Sequence, residues 1–221
     1  RYYQGGANAQ DTIDGTSAIS RLWGTPASYG TALQFAEYCR KYGKTHDMMA
    51  PFISNSRRNG LLFPEGYWAQ HRPEPLTRED YLAARWIAKP ANLFDNDIPI
   101  TVSAAYLFTT PERARDMQQK PVYILNHASS RATPRSLTPT LEEVEAETAR
   151  TGRKLYEGAG ITAADLSFEN MYDGFTLFHQ FHLEGLRYRG IKCGEALDFY
   201  QTDISISGPN PVSPSGGNIG R

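Results

Sequence analysis

The chain has 221 residues, with 23 Lys and Arg against 24 Asp and Glu, so its formal net charge is −1. This length fits one large or two small domains, and the near-neutral balance argues against nucleic acid as a partner. No apolar run reaches the ~18 residues of a membrane span, no signal peptide opens the chain, and Cys39 and Cys193 stand far apart, which fits a reducing cytoplasm.

The first 95 residues have the patterns of loops and helices. Residues 1–30 are rich in Gly, Ser, Thr and Tyr and lack periodicity, which is typical of loops. Apolar residues at helical spacing then predict helices over 31–42, 45–58 and 78–89. Gly43 stops the first of these helices, and the third has Thr77 as N-cap with Asp80 in the position of a capping box.

From Ile98 onward, strand patterns alternate with helix patterns. β-branched and aromatic runs predict strands over 100–108, 122–125 and 166–168. Helix signals predict helices that open at Thr110-Pro111, at Thr138-Pro139 and near Phe175, and a short last helix over 195–200. This alternation is typical of the α/β class.

The segment from Glu169 to Thr176 predicts the end of a buried strand that runs directly into the first turn of a helix. Open α/β sheets place ligands at such junctions, and helix amino ends favour negative charge. Tyr172 is therefore a candidate general acid or base, because a helix dipole lowers the pKa of a nearby phenol. The alternative is a core tyrosine that bonds one backbone group, which the residues alone favour.

Structural interpretations outweigh catalytic ones for the other polar side chains nearby. Asp173 suits a helix cap better than a catalyst. His179 and His182 share a helix face, but no third metal ligand is near, so hydrogen-bonded or solvent-facing histidines are favoured. Cys193 is a nucleophile only if a histidine approaches it, and a small buried residue is favoured; Cys39 lies on an apolar helix face.

A glycine-rich loop, residues 210–220, contains the pair Gly216-Gly217. Successive glycines permit positive φ and close approach of the backbone to a ligand, and their N–H groups can form an anion-binding nest. The alternative is a plain turn, which the surrounding Ser, Pro and Asn residues fit equally well.

Six motifs follow one another along the chain, and each has a counterpart in one known family. They are Tyr42–Thr45 with Arg57–Gly60 (compare YGTT…RRNA), Pro75–Leu82 (PLTxEDYL), Thr109–Asp116 with Pro121–Ile124 (TSAERARDL…PVYI), Met171–Phe175 (HDCF or YDDF), Gly194-Glu195 (GE) and Ser215–Asn218 (TSGG). In this order they resemble the sterol-carrier and lipid-transfer-protein branch of the thiolase superfamily. Each motif is weak alone, but the ordered set is specific and covers nearly the whole chain.

The resemblance implies an α/β protein with a thiolase-like five-layer α/β/α/β/α fold, built from two duplicated halves and incomplete here. Residues 1–95 would be the loop region and helices of the first half, and residues 96–221 the remaining sheet elements and most of the second half. The family's nucleophilic cysteine would precede Arg1 and its catalytic histidine would follow Arg221, so the chain is interpreted as a fragment.

Tyr172 departs from the Asn or His that ordinary thiolases carry at this position. It resembles the thiolase-like steroid side-chain aldolases, which cleave β-hydroxyacyl-CoA thioesters without a cysteine nucleophile. The family's DGA triplet is also replaced, by Thr101–Ala105. The resemblance thus implies retro-aldol cleavage of an acyl-CoA, with Tyr172 catalytic and with these residues at the substrate: Asp173, Gly174, Phe175, Gly216 and Gly217.

The resemblance also implies partners. We expect a homodimer, a small partner protein with an OB-fold and a zinc ribbon, no metal of the chain's own, and no cofactor beyond the coenzyme A of the substrate. Two alternatives stay open. One is an acetyl-CoA acyltransferase that performs Claisen-type acyl transfer with a cysteine outside this chain; the other is a non-catalytic lipid carrier or scaffold subunit.

Overall fold

The computed structural model describes residues 28–98, 100–101, 103–130 and 139–220. The α-helices in these ranges are α1 (Ser28–Tyr42), α2 (Ala50–Gly60), α3 (Tyr67–His71), α4 (Arg78–Ala83), α5 (Pro111–Arg115), α6 (Leu141–Ala159), α7 (Thr176–Gly185), α8 (Ala196–Phe199) and α9 (Gly217–Gly220). Single 3-10 turns cover His46–Met49, Leu93–Asp95, Ala163–Asp165 and Tyr188–Gly190. Strands β1 (Trp86–Ala88) and β2 (Ala91–Asn92) form an antiparallel pair.

The first two predicted helices are present, with corrected limits. α1 begins at Ser28, so residues 28–30 of the predicted loop form its first turn, and the rest of that loop lies outside the described residues. The predicted helix over 45–58 is two elements, a 3-10 turn and then α2, which has Pro51 in its first turn. Proline lacks a backbone N–H, so it fits the start of a helix and not its interior.

The third predicted helix has the predicted start and a wrong end. Thr77 and Asp80 form the expected capping box of α4. The chain leaves the helix at Ala84, whose ψ of 142° is extended, and continues into β1. Pairing of β1 with β2 satisfies backbone groups that a continued helix would otherwise satisfy, and it places Ala91 and Asn92 in the buried interior.

Helix α6 is capped two residues later than predicted. Its N-cap is Thr140, whose side chain accepts from the N–H of Glu143 and completes a capping box; Thr138 lies outside the described residues. The predicted stop is confirmed, because Gly160 ends the helix in the left-handed conformation at φ 68°.

The three predicted strands over 100–108, 122–125 and 166–168 are wrong for the described residues, which form no strand there. Their side chains lie largely in solvent: Tyr106 is 81% exposed and Val122 is 93% exposed. Strand propensity requires a pairing partner to produce a strand, and the described residues offer these segments none.

The apolar core joins residues from both of the predicted parts. Phe35 of α1 and Phe52 of α2 are fully buried, as is Leu177 of α7, and Phe181 is 1% exposed. Helices from before and after residue 95 thus share one core, and the division at 95/96 stays a prediction. No helix within the described ranges has the length and apolar character needed to cross a membrane.

Candidate active site

Two isolated bridges hold the segment that leads into α7. At one end Glu169 pairs in parallel with Val212, and the N–H of Ser213 donates to the carbonyl of Glu169 at 3.1 Å. At the other end Phe175 pairs with Asn96 and is the N-cap of α7. The predicted junction of strand and helix therefore exists in a reduced form, with a single bridge in place of a strand.

Tyr172 lies at the surface of this segment. Its side chain is 51% exposed. The phenol folds back over Gly174, because a Cβ added at that glycine would overlap the Tyr172 hydroxyl and ring. The Tyr172 ring is thus half-exposed at the surface and is not enclosed in the core, and its hydroxyl end lies against Gly174.

Asp173, next in sequence, points the opposite way and is fully buried. Its Oδ1 accepts from the N–H of Asn218 in α9 at 2.6 Å, so it serves the first turn of α9 and not that of α7. Its Oδ2 has no hydrogen-bond partner among the described residues and faces Gly217, where a Cβ would collide with it. Burial raises the pKa of Asp173 to about 6, against the opposing pull of the Asn218 and Ile219 amides.

The paired glycines approach both Asp173 and α2. Gly216 and Gly217 have φ of 85° and 60°, and a Cβ on Gly216 would overlap the backbone of Gly60. Their N–H groups already have partners: that of Gly216 donates to the Ser213 carbonyl at 2.9 Å, and that of Gly217 to the Ser215 hydroxyl at 3.2 Å. The pair therefore permits close packing, and both amides are occupied within the loop.

The structure brings most of the predicted site residues together. Asp173 contacts Gly217 and α9, and Tyr172 covers Gly174. A further bond links the two loops, since the Ser215 hydroxyl donates to the Asn170 side chain at 2.7 Å. Phe175 is at the far end of the segment, at its bridge to Asn96.

A buried polar array that the sequence does not predict lies beneath the segment. His179 of α7 is fully buried, with Nδ1 2.7 Å from the Tyr200 hydroxyl and Nε2 3.2 Å from Glu169 Oε2. This confirms His179 as a hydrogen-bonded histidine. Its partners Glu169 and Tyr200 are ten and twenty-one residues away in the sequence, and no local pattern identifies them. A histidine on an apolar helix is the sequence feature that could have indicated a buried polar group here.

The two cysteines show no activated environment. Cys193 is exposed, so its predicted burial is wrong, and Cys39 is partly buried against the core. Desolvation together with the nearby carboxylates of Glu184 and Glu145 raises the pKa of the Cys193 thiol. A raised thiol pKa disfavours the thiolate that a nucleophile needs.

No family model matches the chain. The chain is 30% identical, over 97% of its length, to a 17-hydroxy-3-oxo-4-pregnene-20-carboxyl-CoA lyase of Mycobacterium tuberculosis. It is 26% identical, over its full length, to a steroid side-chain-cleaving aldolase of Thermomonospora curvata. This chain is a homologue of the steroid side-chain-cleaving aldolases. The resemblance that its motifs carry, to the thiolase-like branch that contains these aldolases, is confirmed.

Two further comparisons define how far the likeness extends. An acetyl-CoA acetyltransferase of Methanothermobacter thermautotrophicus is 25% identical over 94% of the chain. The solved Ltp2-ChsH2(DUF35) aldolase superposes on 93% of the chain with a TM-score of 0.77 at 24% identity. The present chain therefore shares the fold of the matching part of that protein. The chain spans between 55% and 58% of the length of these relatives.

Proposed function

We propose that this aldolase homologue contributes the active site of a carbon–carbon lyase, which performs retro-aldol cleavage of a β-hydroxyacyl-CoA thioester on a steroid or lipid side chain. The observation that carries the proposal is the half-exposed Tyr172 phenol on the turn that joins Glu169 to α7. The names of the homologues, a lyase and an aldolase, support the proposal that the chain belongs to an enzyme.

In this reaction the phenolate oxygen of Tyr172 takes the proton of the β-hydroxyl. The electrons of that O–H bond form a carbonyl, the bond between Cα and Cβ breaks, and its electron pair becomes the enolate of the shortened acyl-CoA. Solvent then protonates Cα, and the Tyr172 phenol gives its proton back to solvent, so the numbers of atoms and electrons balance. No redox cofactor is needed, and coenzyme A enters only as part of the substrate. We propose Asp173, Gly174, Phe175, Gly216 and Gly217 as the residues next to the substrate. The two loop glycines would shape the loop beside it by packing closely against Asp173 and α2, and they would not supply donors, since their N–H groups are occupied.

The whole protein is proposed to complete the site. We propose the five-layer thiolase-like fold for it, with this chain as a portion, and a homodimer that binds a second, smaller polypeptide. Two observations support this proposal. The chain spans 55% of the length of the lyase relative, and the name of the solved aldolase has two components. The OB-fold and zinc ribbon of the smaller polypeptide are part of the same proposal.

The test replaces Tyr172 by Phe in the full-length protein with its partner. Because the variant loses only the hydroxyl of an exposed ring, we expect unchanged folding and a loss of cleavage of roughly 10² to 10⁴-fold, the range of general acid–base catalysis. Turnover is measured as release of the shortened acyl-CoA. The matched control is Tyr123→Phe, since that side chain is similarly exposed at 54%. Unaltered cleavage in the Tyr172 variant would refute the assignment.

The acetyltransferase relative supports a second candidate, Claisen-type acyl transfer. That chemistry needs a thiolate, and the described cysteines do not provide one. Burial raises the pKa of Cys39, and partial desolvation together with the carboxylates of Glu184 and Glu145 raises the pKa of the exposed Cys193. Trapping an acyl-enzyme on a cysteine of the full-length protein would favour acyl transfer over the lyase. Tight acyl-CoA binding without turnover, even with the partner present, would instead favour the carrier role.

A further inference from the structure

Glu169 joins the turn that carries Tyr172 to the loop that carries the glycines. Its Oε1 accepts from the N–H of Ser213 at 2.8 Å, a hydrogen that the Glu169 carbonyl shares at 3.1 Å, and its Oε2 accepts from the N–H of Met171 at 3.0 Å. Met171 immediately precedes Tyr172, and Ser213 immediately precedes the segment Pro214–Gly217. One carboxylate therefore fixes the backbone on both sides of the proposed substrate.

His179 and Tyr200 hold that carboxylate in place from below. The imidazole Nε2 is 3.2 Å from Glu169 Oε2, and the Tyr200 hydroxyl is 2.7 Å from Nδ1. Phe52 stacks on both rings, with centroids 4.2 Å from His179 and 5.0 Å from Tyr200. Because the carboxylate only accepts, Nε2 must carry a proton and donate, and the orientation of the ring is then set by its two partners and the Phe52 stack.

The array is sealed and its side-chain polar atoms are matched. Glu169 is 4% exposed, and His179 and Tyr200 are fully buried. Burial alone would raise the pKa of Glu169, but the charge and hydrogen bond of His179 and the amides of Met171 and Ser213 outweigh burial and lower it. None of the three side chains has an unpartnered polar atom among the described residues, whereas Asp173, Gln180 and Glu184 each have one. A buried network with every member paired is rigid, and it specifies one arrangement of the backbone bound to it.

We propose that Glu169, His179 and Tyr200 are positioning residues, which hold the Tyr172 turn at a fixed distance from the glycine loop. Their effect on catalysis rests on the proposed function, whereas their effect on the two backbone segments does not. A small displacement between a catalytic group and the bound substrate is costly, so a loosened array should slow the chemical step.

The chain offers a matched control for this proposal. Tyr38 is also a fully buried tyrosine, and its hydroxyl donates to Glu184, which lies on the same helix α7 as His179. Tyr200→Phe and Tyr38→Phe therefore remove the same atom, at the same burial, from a bond to the same helix. Only the first removes support from Glu169.

The first measurement is amide hydrogen exchange at Met171 and Ser213 in the full-length protein. In Tyr200→Phe and Glu169→Gln we expect both amides to exchange at least about tenfold faster, since loosening of a charge-assisted hydrogen bond lowers the cost of local opening. In Tyr38→Phe we expect less than about a twofold change at these two amides. Unchanged exchange in Tyr200→Phe, or an equal change in Tyr38→Phe, would overturn the proposal; should Glu169→Gln fail to fold, Tyr200→Phe decides alone.

The second measurement separates kcat from KM for cleavage of the β-hydroxyacyl-CoA. For Tyr200→Phe we expect kcat to fall about tenfold or more while KM stays within about twofold, because the substrate still binds and the phenol is misplaced. Faster exchange with an unchanged kcat would refute the catalytic part of the proposal. If the wild-type protein cleaves no such thioester while exchange responds as expected, the proposed function fails and the positioning of the two segments stands.

Discussion

Tyr172 and Gly174 lie on one turn. The phenol of Tyr172 occupies the space that a side chain at position 174 would need. The phenol lies over the glycine at a place where any Cβ would overlap it, so the absence of a side chain at 174 sets where the hydroxyl lies. The φ of Gly174 is not in the left-handed region, and alanine can therefore adopt its backbone conformation. The two residues can thus be separated by experiment, with the phenol displaced and the backbone kept.

Gly174→Ala should move the phenol without unfolding the protein. The added methyl meets the end of a half-exposed side chain that can swing aside, so we expect the free energy of unfolding to change by less than about 1 kcal/mol. Cleavage should fall up to about 100-fold, the cost of displacing a catalytic group by about 1 Å. Gly30→Ala is the control, because a Cβ there meets nothing within 4 Å. Full activity of the Gly174 variant would show that the position of the phenol is irrelevant.

Sequence patterns predict some residues of the site and miss others. The reason is the separation along the chain between the residues that contact one another. The Tyr172 turn and the glycine pair are local features, and both are recognisable from their residue types and motifs. Glu169 and Tyr200 belong to the same region only because the Glu169–Val212 bridge and the packing of α8 bring them to His179. Contacts between residues ten to forty-four positions apart leave no periodic signal in a single sequence.

At the scale of elements, α9 and α2 pack backbone against backbone. A Cβ on Gly220 of α9 would overlap the Ser56 carbonyl of α2, and one on Gly216 would overlap Gly60. The side chains of Asn55 and Asn59 extend from α2 to the carbonyls of Val212 and Ser213 at 2.9 and 3.0 Å. Helix α2 is therefore the platform on which the glycine loop lies.

Gly220→Ala should destabilise the protein by about 1–3 kcal/mol, since the atoms it meets are backbone and cannot rotate away. Gly158→Ala is the comparison, because its Cβ would overlap the Asn126 side chain, slightly less closely than the Gly220 Cβ would overlap the Ser56 carbonyl, and a side chain can rotate away where a backbone carbonyl cannot. Urea unfolding of the two variants measures the difference. Equal losses of stability in the two variants would contradict this, because they would mean that the backbone contact between α9 and α2 accommodates a methyl group as readily as the Asn126 side chain does.

Helices and strands differ in how far their prediction succeeds. α4 and α6 are capped by residues three positions apart, Thr77 with Asp80 and Thr140 with Glu143, so the information lies within one turn. The segments 100–108 and 122–125 have strand composition, but a strand exists only when another strand pairs with it. The residue types at these positions therefore indicate a preference for extended backbone, and they do not indicate whether a pairing strand is present.

Among the described residues, the buried Asp173 and the partly buried His182 have pKa values displaced in opposite directions. Burial raises the pKa of Asp173 to about 6 and lowers that of His182 to about 4. The folded state therefore holds a proton on Asp173 up to about pH 6, which the unfolded chain releases near pH 4, so this group favours folding at low pH. His182 does the reverse, because the unfolded chain protonates it near pH 6.5 and the folded state does not.

Between about pH 4 and 6 the two contributions should nearly cancel, and single variants should separate them. Asp173→Asn keeps an acceptor for the Asn218 N–H and loses the titration, so its stability should fall relative to wild type as the pH decreases from 6 to 4, because Asp173 no longer offsets the contribution of His182. His182→Gln should instead gain stability over the same interval, by up to about 3 kcal/mol from the raised pKa of Asp173. Denaturant unfolding at several pH values measures both slopes. Parallel slopes for wild type and both variants would contradict the burial assigned to these groups.

The amino-acid sequence by itself determined the capping box of α4, the glycine that ends α6, the likeness to thiolase-like aldolases and the choice of a tyrosine and two glycines for the candidate site. Each of these depends on neighbours within a few residues or on short motifs in order. Only the tertiary structure decided that Tyr172 faces solvent while Asp173 is buried, that the glycine amides are already bonded, and that Glu169, His179 and Tyr200 underlie the site. Those features depend on which distant segments pack together, because burial and pairing are properties of the folded interior and not of the local chain.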